Sequence, residues 1–268
     1  MIIKNFKTIQ AILKVSRKAY ITPHYIRIWL TGKDVDAFEE ANIGEHNKIL
    51  IPPEGLNEIH FPQFDVENQK WIHPPEEIRS TVRTYTHRGI DKKNKEIWID
   101  FVAHGTEGPA SAWAINAKEG DILGVMMKKS KKPLFPIKDY YLLIGDATAV
   151  PVLGAILEQL PVTAKGICII EVQAKEDEHI LKTKADIDYI WLYNIHLDQK
   201  SLLPGMVKKI KVPKDNRFAY VAAESAAVKE IRKFLCEKKN FQREEYDAYA
   251  YWKSGVSEDK SKEDRKFK

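Results

Sequence analysis

Cysteine is nearly absent: there are two in 268 residues, Cys168 and Cys236, far apart and in segments that look buried. They support neither a disulfide framework nor a cysteine metal or iron–sulfur set, and such usage fits a reducing cytoplasm. Long apolar runs are also missing. The longest, "YYLLIG" and "GICII", fall far short of the roughly 20 residues that cross a bilayer as a helix, so no membrane insertion is expected. The opening "MIIKNFKTIQ" has no apolar h-region and no cleavage site, so no secretory leader is expected. Neither G-x-G-x-x-G nor H-E-x-x-H occurs, which removes the usual dinucleotide fingerprint and the usual zinc-protease motif. No internal repeat is visible. Charge is not strongly one-sided: 43 bases against 38 acids give a net +5, much of the excess sitting in the tail "KSGVSEDKSKEDRKFK". Because bases and acids are interspersed and no recognised module is present, nucleic-acid binding is poorly supported.

What is present reads as two halves. The composition, 44% hydrophobic and 10% aromatic, suffices for a sizeable core. Up to about residue 132, β-branched and aromatic runs predominate: "ILKVSRKAYI", "HYIRIWLTG", "NKILIPP" and "KEIWIDFVAHG". In the last of these, Ile97, Ile99, Phe101 and Ala103 alternate with Trp98, Asp100, Val102 and His104. The pattern predicts a small antiparallel β-barrel over 1–132. "SKKPLFPIKD" reads as a linker. From 137 the rhythm changes to strand–helix alternation: strands "YYLLIGD", "GICIIEVQ", "YIWLYN" and "FAYVAAE", and helices "TAVPVLGAILEQLP" and "SAAVKEIRKFLCEKKN", the latter with Val228, Ile231 and Leu235 at helical spacing. This predicts a parallel α/β domain over 137–268.

Three junctions carry chemistry. "GDATAVP" (145–151) follows a strand and opens a helix, the place where open α/β sheets bind nucleotides; an ordinary strand–helix turn explains it equally well. "AHGTEGPASAWA" (103–114) joins a strand to a short helix with Pro109 at its start. Ser111 and nearby amides suit a phosphate there, although a capped structural helix accounts for the segment more simply. "RTYTHR" (83–88) puts Arg83 and Tyr85 on one face of a strand and Thr84 and Thr86 on the other. An arginine fork, an aromatic face and the Thr86 amide and hydroxyl suit a flat ring system attached to a phosphate.

Together these segments resemble the siderophore-interacting proteins, flavin-dependent ferric-siderophore reductases of the ferredoxin-reductase-like superfamily. "RTYTHR" is similar to the superfamily's R-x-Y-[ST], and "DFVAHGTEGPASAWA" to D-F-V-x-H-x-x-x-G-P-A-x-x-W-A. "GDATAVPVLGAILEQLP" is similar to G-D-E-T-A-x-P-A-x-x-x-I-L-E-x-L-P, with Ala147 where the family usually has Glu. "YAYWKSG" and "GEHNKILIPP" match closing and early segments, so the ordered set runs from about residue 44 to 255. The resemblance implies an FAD-binding Greek-key barrel followed by a NAD(P)H-binding α/β domain. It implies that Arg83, Tyr85 and Thr86 hold the isoalloxazine and its ribityl-phosphate side, with Asp100, Val102 and His104 near the FAD and Ala110 and Ser111 at its pyrophosphate. Gly145, Asp146 and Thr148, with Glu224 at another strand end, would meet the nicotinamide dinucleotide.

The implied activity moves electrons from NADH or NADPH, or from reduced ferredoxin, through FAD to an anionic ferric siderophore of catecholate type. Fe(II) would be released in the cytoplasm. Lys48, with the tail's Lys260, Lys262 and Arg265, is expected to form a basic lip for that substrate. The acids of "AKEDEH" (174–179) after the second α/β strand favour NADH over NADPH, since they would repel a 2′-phosphate. A general FAD-dependent flavin or ferredoxin reductase would share residues 83–86 without needing the lysines. A non-enzymatic siderophore carrier would need the lysines without the flavin motif.

Overall fold

The computed structural model describes residues 8–130, 132–195 and 200–256; the expected siderophore contacts Lys260, Lys262 and Arg265 lie outside them. The chain divides into two compact units, Met1–Leu134 and Phe135–Lys268.

The first unit contains β1 (Thr8–Thr22), β2 (Tyr25–Thr31), β3 (His46–Ile51), β4 (Gln63–Asp65), β5 (Lys70–Ile72), β6 (Thr81–Thr86), β7 (Gly89–Asp91), β8 (Glu96–Val102), α1 (Pro109–Asn116) and β9 (Ile122–Lys128). Seven of the strands form one antiparallel sheet in the order β6-β3-β9-β1-β2-β8-β7, and β4–β5 is a separate hairpin. Period-two alternation drives the sheet. Ile9, Ala11, Leu13 and Val15 of β1, Ile26, Ile28 and Leu30 of β2, and Ile97, Ile99 and Phe101 of β8 point into one core. The sheet curls until its ends meet around His87. The His87 N–H donates to Glu45 O and its C=O accepts from Gly44 N–H, both at 2.8 Å; one residue later the Arg88 N–H donates to Trp98 O at 3.2 Å. Gly89 is required at this crossing, because a Cβ there would lie 2.0 Å from the Trp98 ring.

The second unit contains β10 (Tyr140–Asp146), α2 (Val150–Gln159), β11 (Lys165–Val172), β12 (Asp186–Tyr193), α3 (Leu203–Val207), β13 (Arg217–Glu224), α4 (Ser225–Lys239) and β14 (Tyr246–Trp252). The five strands are parallel, in the order β12-β11-β10-β13-β14. β10, β11 and β13 are near-continuous apolar runs, as strands covered on both faces must be. α4 buries Ala227, Val228, Ile231 and Leu235 and stops at Asn240, whose left-handed φ of 54° lets the Phe241 N–H close on Leu235 O. The chain winds outward from β10 to β12, then resumes on the other side with β13. The carboxyl ends of β10 and β13 are therefore the topological switch point, where ligands bind in such sheets.

Two features were not predicted from sequence. β14 is a fifth parallel strand in which Ala248 and Ala250 are buried between more exposed tyrosines. The β4–β5 hairpin interrupts the long connection between β3 and β6 and pairs Phe64 with Trp71, ring centroids 5.3 Å apart.

Candidate functional site

In the first unit, an aromatic series draws the separate motifs together. The Tyr85 ring of β6 lies 4.5 Å from Phe101 of β8, and Phe101 lies 5.6 Å from Trp113 of α1. Ala110 and Ala114 anchor α1 in the barrel core. "RTYT", the end of β8 at Val102 and His104, and the start of α1 are thereby held in one region. α1 has Gly108 as N-cap, Pro109 in its first turn and no side-chain cap, so its leading N–H groups retain their attraction for an anion. The exposed His104 ring lies over Gly108, where a Cβ would come within 2.8 Å of it. Register places Arg83 opposite Ile49 and Tyr85 opposite Asn47, on the face turned to the barrel core. Arg83 donates to Val82 O at 2.8 Å. An arginine fork, an aromatic face and an uncapped helix start fit a flavin dinucleotide in kind and in sequence order.

Several of the expected contacts have other duties. Asp100 shares the outer face with Trp98 and Val102 but is not open to a ligand. Its carboxylate takes both arms of Arg27 at 2.7 and 2.8 Å and the Tyr25 hydroxyl at 2.7 Å, with Arg88 Nε at 3.7 Å, and its side chain is fully buried. Its side chain therefore braces β8 against β2. The Tyr25 phenol is pushed well up by burial and then by the Asp100 charge. The Ser111 hydroxyl is also occupied: it donates to Gly105 O at 2.6 Å and accepts the His104 N–H at 3.1 Å, which shapes the 104–108 loop. The backbone at Ala110 and Ser111, at the uncapped start of α1, stays a candidate phosphate contact. Thr86 is buried, because the chain passes directly beneath Gly44 and Glu45.

Lys48 lies on the opposite face of β3 from the residues paired with Arg83 and Tyr85. It pairs in register with Thr84 and Met126 and hydrogen-bonds the Thr84 hydroxyl. Lys128 and His46 share this face, and of the two only Lys128 carries a positive charge at neutral pH. Lys128 is two residues beyond Met126, and His46 is two before Lys48; the His46 pKa is lowered by burial, and Lys48 and Lys128 lower it further against the opposing pull of Glu45. The sequence reading missed His46 and Lys128, although period-two spacing along β3 and β9 would have found them.

In the second unit, Asp146 ties three strand ends together. One carboxylate oxygen accepts the Thr148 N–H at 2.9 Å and its hydroxyl at 2.5 Å; the other accepts the Glu224 N–H at 2.9 Å and the Trp252 indole N–H at 2.8 Å. Burial pushes the Asp146 pKa up, against the downward pull of these bonds. Glu224 caps α4, accepting from the N–H groups of Ala226 and Ala227. Gly145 is demanded by packing: a Cβ would come within 2.5 Å of Ala149. Gly145, Asp146, Thr148 and Glu224 thus meet at the switch point, their side chains engaged in shaping it. Glu171 was not anticipated. At the end of β11 it is the register partner of Asp146, and it holds the segment after β12 through Asn194, Ser201 and the Leu202 and Leu203 N–H groups. Among the described residues no helix is long and apolar enough to cross a membrane.

The comparisons with known proteins cover both units. Residues 14–130 match the siderophore-interacting FAD-binding domain and residues 138–255 match the siderophore-interacting protein family. Ferric vibriobactin reductase ViuB of Vibrio cholerae is 32% identical over 256 residues, 95% of this chain and 93% of that protein. The NADPH-dependent ferric-chelate reductase of Escherichia coli is 27% identical over 250 residues, 90% of this chain and 91% of that protein. The crystal structure of a siderophore utilization protein from T. fusca superposes with a TM-score of 0.81 at 28% identity, over 93% of this chain and 95% of that one. With family matches spanning both units and a relative at this identity over nearly its whole length, the chain belongs to the siderophore-interacting protein family.

Proposed function

We propose that this protein is a ferric-siderophore reductase, taking electrons from a nicotinamide nucleotide through FAD to an Fe(III)–siderophore and releasing Fe(II) in the cytoplasm. The observation that carries the proposal is the Tyr85–Phe101–Trp113 series, which gathers the R-x-Y-T strand and the uncapped start of α1 in one unit. When bound, FAD supplies the means to accept a two-electron hydride and deliver single electrons to iron. Arg83 and the backbone at Ala110 and Ser111 hold its diphosphate side, and Tyr85 orients its ring. Asp100 keeps β2 and β8 in place behind them. Asp146 and Glu224 fix the strand ends against which the donor lies.

Ferric catecholates are anionic, and Lys48 and Lys128 supply the positive charge on this face of the first unit that attracts them; Lys260, Lys262 and Arg265 are further candidate contacts for the same anion. Siderophore oxygens hold hard Fe(III) far more tightly than Fe(II), so reduction is release. NADH is the favoured donor, with reduced ferredoxin as the alternative source. The test is flavin retention: Arg83→Ala should lose FAD on gel filtration while its far-UV circular dichroism is unchanged. Full flavin occupancy in that variant, with normal bleaching by NADH, contradicts the assignment.

A further inference from the structure

NADH and NADPH differ only at the adenosine ribose, so a contact there selects between them; assigning one rests on the proposal that a nicotinamide nucleotide is the donor. In doubly wound sheets, an acid at the end of the second strand takes the ribose hydroxyls, whereas a cation nearby accommodates a 2′-phosphate. The second strand of this unit is β11, beside β10. Its terminal acid, Glu171, is only 6% exposed and already accepts four hydrogen bonds. Asp177, in the turn after β11, is 4% exposed and accepts the Ala174 N–H at 3.2 Å. Neither can take a ligand hydroxyl.

Two exposed acids remain beyond β11, Glu176 and Glu178. The backbone holds the turn that carries them: the Asp177 N–H donates to Ala174 O at 3.1 Å and the Glu178 N–H to Lys175 O at 3.0 Å. The Glu178 carboxylate accepts the Tyr193 hydroxyl. Tyr193 ends β12 and pairs in register with Val172, the last residue of β11. The carboxylate is therefore pinned over the ends of the second and third strands. The Tyr193 phenol is shifted upward by that hydrogen bond first, then by slight desolvation and the charges of Glu178 and Glu176. Next to them the His179 ring leans on Trp191, centroids 6.0 Å apart. The competing cation is Lys175, exposed in the same turn.

We propose that Glu178, fixed by Tyr193, receives the 2′-hydroxyl of the donor's adenosine ribose and so makes the protein discriminate against a 2′-phosphate. A carboxylate accepts from a hydroxyl but repels a phosphate dianion, so selectivity arises from repulsion of the wrong donor as much as from attraction of the right one.

The test uses the full-length chain loaded with FAD and two probes that carry no nicotinamide, 5′-AMP and 2′,5′-ADP, titrated by calorimetry. The expected result is 5′-AMP binding about tenfold tighter than 2′,5′-ADP. Glu178→Gln should bring the two affinities close together, and Glu178→Arg should reverse their order. Tyr193→Phe, which frees the carboxylate to move, should weaken 5′-AMP while leaving flavin content intact. Tighter binding of 2′,5′-ADP to the wild type, an unchanged ratio in Glu178→Gln, or no binding of either probe overturns the proposal. Failure of the underlying donor assignment shows separately: NADH and NADPH would then both leave the flavin absorbance of the wild type unbleached.

Discussion

His87 is fully buried with both ring nitrogens lacking a hydrogen-bond partner, beside Phe38 at the seam where the first sheet closes. Burial lowers its pKa from 6.5 to about 4. The unfolded chain thus takes up a proton below pH 6.5, and the folded chain resists until about pH 4. Stability contributed by the neutral ring is present above pH 6.5 and is lost as pH falls from there toward 4. At 1.36 kcal/mol per pKa unit, the loss between pH 7 and pH 4 is about 3 kcal/mol. Other groups of the protein also bind protons as pH falls, so the informative quantity is the difference between wild type and His87→Leu, which has no ionisable ring. Urea unfolding followed by tryptophan fluorescence at pH 7, 6, 5 and 4 measures it. The variant should lose about 3 kcal/mol less than wild type over that range. Parallel stability curves would refute the claim that a neutral, orphaned imidazole is sealed at the seam.

Three other contacts make checkable claims. Asp100→Asn leaves Arg27 and Arg88 without their buried counter-charge and should cost about 3 kcal/mol of stability in thermal or urea unfolding; a change near zero argues against the bracing role. Gly89→Ala drives a methyl into the Trp98 ring and should cost roughly 1–3 kcal/mol, with a changed tryptophan emission. Lys48→Ala should weaken binding of a ferric catecholate to the oxidised protein, and wild-type binding should fall with added salt, since exposed charges are screened beyond ~8 Å at physiological ionic strength; flavin content should stay the same. Equal binding by the variant, with no salt response in either protein, would favour a general flavin reductase.

The sequence conveyed the architecture because its two halves use different periods. Alternation in β1, β2 and β8 and continuous apolar runs in β10, β11 and β13 separate a half-covered antiparallel sheet from a buried parallel one. Motif order then pointed to the R-x-Y-T strand as the expected flavin contact and to the switch point between β10 and β13. Individual roles were less legible, because a strand pattern gives the face of a residue but not its cross-strand partner. Asp100 falls on the polar face of β8, yet Arg27, 73 residues earlier in the chain, claims its carboxylate. Ser111 stands at a helix start, and the spacing alone does not reveal that its hydroxyl folds back on Gly105. Glu171 sat unnoticed at the end of an apolar run, because its donors come from a segment about 30 residues later. β14 escaped because alternating alanine and tyrosine carries a weak hydrophobic contrast.

The central claim is that electrons pass through a flavin held by this chain to siderophore-bound iron. The most direct measurement is an anaerobic two-step experiment on the purified, FAD-loaded protein. NADH is added and the flavin band near ~450 nm is followed; a ferric catecholate is then added with a ferrous-specific chelator present. The account predicts bleaching by NADH, then return of the flavin band together with one ferrous complex for each electron the flavin gives up. Return of the band without ferrous iron, or a reduced flavin that the ferric catecholate fails to reoxidise, would contradict it.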